Sequence, residues 1–292
     1  MAEANDARGA GTMGAQYTRT NVVIRVDATT SVSGVLAAPA PGAGRARAAV
    51  VLGHGAGADM NQAFLSAVHE GLAARGALAL KFNFAYTEAR RRVPDPPARL
   101  LATFRAAVAW LDAQPAARGL PRILGGKSMG GRIASHVVAE GDPADGLLFL
   151  GYPLHPPGKP DKLRDAHLPG IRAPMLFVTG TRDELCDLER LRPVLERLGR
   201  RATLALIDDG DHSFHVRKSS GRDDRAATAE VIEVSARWLA ARKAGALRAP
   251  RRAGAGSKKT APPSTSPGAA ARPKRSPAPS SSSGRGGTTG RR

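Results

Sequence analysis

Apolar residues along this chain fall into two patterns that alternate from one segment to the next. Short unbroken apolar runs are followed by stretches in which apolar side chains return every three or four residues. Ala48–Gly53 (AAVVLG) is unbroken, as a strand covered on both faces requires. Next, Phe64, Leu65, Val68 and Leu72 share one helical face, and the pattern stops near Gly76. Ala77–Phe84 reads as a strand. Pro96–Ala113 reads as a helix with Leu100, Leu101, Phe104, Val108 and Leu111 inward. Ile123–Gly125 is a strand and Met129–Glu140 a helix. Gly146–Gly151 and Pro174–Gly180 are further strands. Leu188, Leu191, Val194, Leu195 and Leu198 mark a helix that stops at Gly199. Thr203–Asp208 is a strand, and Ala226–Ala241 is a closing helix with Val231, Val234 and Trp238 inward. Ahead of all these, Asn21–Asp27 and Val32–Ala38 read as two strands paired antiparallel. Such alternation predicts an α/β fold: a mostly parallel, doubly wound sheet flanked by helices, with no large cap domain. No internal repeat is visible.

The periodicity is confined to the middle of the 292 residues. Residues 1–16 are rich in Ala and Gly and are expected to be a disordered leader. From Ala244 to Arg292 there is no acid, no aromatic residue, and one large aliphatic, Leu247. Such a segment cannot bury enough surface to offset chain entropy, so a disordered basic tail is expected over 244–292. One α/β domain over 17–243 remains. Dividing the chain this way also changes how its net charge of +19 reads. Eleven Lys and Arg residues lie in the tail, so the rest of the chain carries only +8. The basicity belongs largely to the tail. It allows weak, non-specific nucleic-acid contact through phosphates, without aromatic side chains to stack on bases. A solvated tail without a partner is the simpler reading.

Cys186 is the single cysteine, so no intrachain disulfide can form, which fits a reducing compartment. No basic-then-apolar signal pattern opens the chain, and no apolar run approaches the roughly 18 residues of a membrane helix. A cytoplasmic protein without a membrane partner is expected.

The strongest chemical signal is Ile123–Gly131, ILGGKSMGG. An apolar run ends, Gly126-Lys127-Ser128-Met129-Gly130 follows, and a helical pattern starts. This is the G-x-S-x-G form of a nucleophile elbow, which lifts a serine hydroxyl out of the sheet at a tight strand-to-helix turn. A serine needs a general base, and the base needs an orienting carboxylate. Asp183 follows the strand PMLFVTG, and His212 follows the strand TLALIDD. The order Ser, Asp, His, each at the carboxyl end of a strand, is that of a catalytic triad on a parallel sheet. Glu184 and Asp187 are rival carboxylates, and His215 is a rival base lying further from its strand. The oxyanion donors expected are the N–H of Met129 and that of Ala56, with Gly57 the alternative to Ala56. His54 reads as a structural loop histidine.

Other chemistry competes for the same residues. Gly126-Lys127-Ser128 invites a phosphate-loop reading, but Pro121 stands where that loop needs a glycine. Asp211, His212 and His215 are a loosely spaced metal set, ranked below the triad. Cys186 reads as a small buried residue. The long segment after Tyr152, PLHPPGKPDKLRDAHLPGI, is either a pocket wall or a plain surface connection. A non-catalytic scaffold on the same fold is the second function class, against which the filled triad positions argue.

The blocks VLGHGAGADMN, KFNFAY, GGKSMGGRIAS, GYPLHPPGKPDKLR, LFVTGTRDELC and DGDHSF together resemble the α/β-hydrolase superfamily near the dienelactone hydrolase-like enzymes. Within it they are most similar to the bacterial group related to testis-expressed protein and NSL-complex regulatory subunit homologues. The resemblance implies an α/β-hydrolase fold and a hydrolase activity. Ser128 would be its nucleophile, Asp183 the acid and His212 the base. Dienelactone hydrolases proper use a cysteine nucleophile, so Ser128 is a departure, and dienelactone is not the expected substrate. The function expected is a cofactor-independent, metal-free serine esterase cleaving an ester, lactone or thioester of a small-molecule acyl substrate.

Overall fold

A computed structural model describes residues 16–242 of the chain. The expected tail, 244–292, and residues 1–15 of the expected leader lie outside the described residues. Gln16, placed in the leader by the sequence, accepts a hydrogen bond at its carbonyl from Ala40 N.

Eight strands form one sheet: β1 (Tyr17–Arg25), β2 (Ser31–Pro39), β3 (Ala48–Gly53), β4 (Ala77–Phe82), β5 (Arg122–Lys127), β6 (Gly146–Leu150), β7 (Met175–Gly180) and β8 (Ala202–Ile207). Their order is β1-β2-β4-β3-β5-β6-β7-β8. Only the β1–β2 and β2–β4 pairs are antiparallel; every pair from β4 through β3 to β8 is parallel. Helices α1 (Ala63–Ala74), α2 (Ala85–Glu88), α3 (Pro97–Asp112), α4 (Met129–Ala139), α5 (Leu188–Leu198) and α6 (Asp224–Ala240) complete it.

Alternation along the central strands divides the core into two layers. Ala49 and Val51 of β3 join Phe104 of α3, Ile133 of α4 and Leu191 of α5 on one face. Ala48, Val50 and Leu52 join Leu65 of α1 and Val231 and Trp238 of α6 on the other. Every residue of β3, β4, β5, β6 and β7 is buried, which explains the unbroken apolar runs of β3, β6 and β7; β4 and β5 also bury Lys81, Arg122 and Lys127. Among the described residues no helix is long and apolar enough to cross a membrane.

The structure departs from the sequence reading mainly at element ends. β1 starts at Tyr17 rather than Asn21, because an edge strand tolerates the exposed polar run Thr18–Asn21. It stops at Arg25, because Asp27 Oδ1 accepts from the N–H groups of Thr29 and Thr30 and turns the chain. β4 ends at Phe82, and Asn83 and Phe84 lead into α2 instead of extending the strand. β5 continues to Lys127, directly against the serine.

Candidate active site

β5 delivers Ser128 at the point where the chain turns into α4. Ser128 has φ +50° and ψ −112°, a strained conformation for a residue with a side chain. Two bonds hold it: its N–H donates to Leu150 O at 3.0 Å, and its carbonyl accepts from Arg132 N at 3.1 Å. Gly126 (φ +149°) makes the turn possible, since a Cβ there would stand 2.1 Å from Gly53 O.

The loops after β7 and β8 meet over this serine. His212 Nε2 is 2.9 Å from Ser128 Oγ, and His212 Nδ1 is 2.8 Å from Asp183 Oδ1. A carboxylate accepts only, so Nδ1–H donates to Asp183 and the Nε2 lone pair is left to accept from the serine hydroxyl. Asp183 Oδ1 also accepts from Leu185 N at 2.9 Å. Asp183 Oδ2 is buried and has no hydrogen-bond partner among the described residues. The His212 loop is fixed by Asp211, whose Oδ1 takes the N–H groups of Ser213 and His215 at 2.7 and 2.9 Å. Phe214 anchors it by stacking on Phe64 of α1, ring centroids 4.8 Å apart.

The rival residues are engaged elsewhere. Asp187 caps α5, accepting from Glu189 N and Arg190 N. Glu184 is exposed. His215 points to Asp224, Nδ1 to Oδ2 at 2.6 Å, which also separates it from Asp211 and His212 as a metal set. Among the described residues no group of three His, Cys, Asp or Glu side chains is arranged to hold a metal ion. Cys186 is buried, and burial pushes its thiol up to about 12.

His54–Gly57 leaves the end of β3 and lies against the serine: a Cβ on Gly55 would be 3.7 Å from Ser128 Cβ. His54 is buried. Its Nδ1–H donates to Gly55 O at 2.8 Å, and its Nε2 accepts from Phe84 N at 3.1 Å, so it shapes the loop. Ala56 and Gly57 follow and are exposed. Met129 opens α4, and its N–H belongs to the first turn, where no intrahelical acceptor exists.

One cavity borders Asp183, and another opens beside the loop after β3. The first, of about 450 Å³, is lined by Asp183 and Cys186 together with His155 and Pro160 from the long segment after Tyr152. That segment is therefore a wall, pinned by Tyr152 Oη donating to Arg164 O at 2.7 Å. The other, of about 540 Å³, is lined by Gly57, Ala58, Tyr86 and Arg90–Arg92.

One residue of the site was invisible as such in the sequence. Lys127, weighed there only as part of a phosphate loop, is 6 % exposed, and its Nζ lies 5.8 Å from the Phe214 ring centroid. Burial pushes its pKa down to about 8, against the opposing pull of Asp183 and Asp211.

Residues 46–240 match a protein family described as alpha/beta hydrolase domain. The chain belongs to this family. The α/β hydrolase fold is shared with a dienelactone hydrolase from Anabaena variabilis at 22 % identity and TM-score 0.61, covering 78 % of this chain and 99 % of that one. It is shared with an α/β serine hydrolase without lid from Xanthomonas campestris, at 19 % identity and TM-score 0.59, over 76 % and 95 % of the two chains. An esterase domain of a Rhodothermus marinus protein is similar too, at 17 % identity and TM-score 0.58, over 77 % and 99 %. At these identities the likeness is one of fold.

Proposed function

We propose that this α/β hydrolase is a serine esterase, cleaving a carboxylic ester, lactone or thioester through an acyl-enzyme on Ser128. The observation that carries the reading is the continuous chain Ser128 Oγ, His212 Nε2, His212 Nδ1, Asp183 Oδ1, with both links inside 3 Å. His212 takes the hydroxyl proton as Ser128 Oγ bonds to the acyl carbon. The imidazolium is stabilised by Asp183 and then protonates the departing alcohol or thiol. The N–H groups of Met129 and Ala56 receive the oxyanion, assisted by the positive end of α4. Water, deprotonated by His212, releases the acid and returns the proton to Ser128. These groups supply nucleophile, base and oxyanion donors from the chain itself, so the reading calls for no cofactor. A small-molecule acyl substrate, a cytoplasmic site of action and kinship with the testis-expressed and NSL-complex subunit homologues belong to the same proposal, the last resting on the motif blocks.

A fluorophosphonate probe tests it. Wild type should be labelled and should turn over short- to medium-chain p-nitrophenyl esters, and Ser128→Ala should do neither. An unlabelled, inert wild type would favour a non-catalytic scaffold.

A further inference from the structure

Lys127 is the last residue of β5 and sits beneath the triad, on the sheet face that carries α1 and α6. A lysine placed there needs an explanation, because burial of an ammonium is costly unless a counter-charge meets it. Gly151, at the end of β6, shows what it meets. Its φ is +67°, and a Cβ there would stand 3.1 Å from Lys127 Nζ, 3.2 Å from His212 O and 3.5 Å from Asp183 Oδ2. The ammonium, the backbone of the general base and the unpartnered oxygen of the acid thus ring one small space. Asp183 brings its whole carboxylate into that dry environment, with Oδ1 occupied by His212 and Leu185 and Oδ2 facing the lysine side.

We propose that Lys127 is a positioning residue for the triad: its ammonium is the counter-charge to Asp183, and it offsets the carboxylate's hold on the His212 proton. The inference rests on the serine-triad reading above. The electrostatics have a definite sign. A carboxylate beside an imidazole raises the ring's proton affinity. A positive charge beside Asp183 lowers it again and keeps Nε2 free. The charged groups facing Lys127 are Asp183 from the loop after β7 and Asp211 from the loop after β8. Phe214, itself stacked on Phe64, and Gly55 beside the lysine stem are uncharged neighbours.

The test is the pH profile of fluorophosphonate labelling, together with a thermal melt, for wild type, Lys127→Met and Lys127→Gln. Both neutral variants should shift the acid limb upward by about one pH unit, the scale of a unit charge several ångströms away in a partly buried site. Labelling near pH 6 then falls several-fold, while labelling at pH 8.5 and the melting temperature stay near wild type. An unshifted limb in a folded variant overturns the proposal, whether labelling is unchanged or uniformly weaker, because packing alone moves no limb. Titration of the His212 ring proton by NMR in the wild type needs no variant. It should show two steps, its own and a second near pH 8 as Lys127 loses its proton. A single step also overturns the proposal. A wild type that is never labelled removes the triad reading itself, and the NMR titration still decides whether Lys127 and His212 are coupled.

Discussion

A Cβ placed on Gly130 would stand 2.1 Å from the carbonyl oxygen of Gly53. The first turn of α4 therefore packs on the end of β3 backbone to backbone, and the His54–Gly57 loop leaves β3 at that same point. Gly130→Ala would push two main-chain segments apart, since a carbonyl cannot rotate away as a side chain can. Overpacked cores lose roughly 1–3 kcal/mol, and this contact should reach the upper end. Urea denaturation should give a clearly lower midpoint than wild type, with weaker fluorophosphonate labelling because Ser128 is carried by the same turn. An alanine variant of wild-type stability would contradict the packing described here.

Asp183 and His215 make opposite predictions. Asp183→Asn presents an amide to His212 Nδ1 and favours the tautomer with Nε2 protonated, which cannot accept the serine proton. Ester turnover should fall by about 10³–10⁴-fold with little change in KM. His215→Ala removes an exposed contact to Asp224 and should stay within about threefold of wild type, as surface substitutions do. Steady-state kinetics on a p-nitrophenyl ester separates the two; comparable losses would point to the wrong base.

The fold class was legible because a parallel sheet covered on both faces writes itself as unbroken apolar runs, and helices between them as a period near four. Ser128, Asp183 and His212 stood out because each follows such a run, and the structure brings their side chains together. Element ends were less legible. Edge strand β1 opens with residues too polar to signal a strand, and α2 is a single turn whose Phe84, Ala85 and Tyr86 prolong the apolar character of β4 past Asn83. Lys127 was hidden for a different reason. A lysine reads as solvent-facing, and only the three-dimensional meeting of the β7 and β8 loops gives it Asp183 as a neighbour.

Stability should depend on pH through His69. It lies on α1, fully buried, with Nε2 3.0 Å from the carbonyls of both Val35 and Ala79, so Nε2–H donates to both. Burial first, and then the nearby Lys81 charge, push its pKa from 6.5 down to about 4. The unfolded chain takes up this proton as pH falls through about 6.5, while the native state resists until near 4. The contribution is therefore complete above 6.5 and is lost as pH falls from there toward 4, by up to about 3 kcal/mol. Urea midpoints at pH 7 and pH 4.5 should fall less for His69→Gln than for wild type. Parallel curves would show that His69 does not titrate in this window.

The oxyanion assignment turns on a main-chain N–H, so side-chain truncation cannot test it. Proline can, because it deletes the donor while leaving the carbonyl in place. Ala56 suits the exchange: it is exposed, its φ is not positive, and its N–H makes no hydrogen bond among the described residues. Gly55 before it is flexible enough to adopt the extended backbone that a following proline favours. Ala56→Pro should lower kcat by about 10²–10³-fold, the loss expected when one of two donors to a developing oxyanion disappears. Ala56→Gly retains the N–H and should stay close to wild type, which separates loss of the donor from disturbance of the loop. If Ala56→Pro keeps full activity with an unchanged melting temperature, the second donor is not Ala56, and Gly57 becomes the N–H to examine.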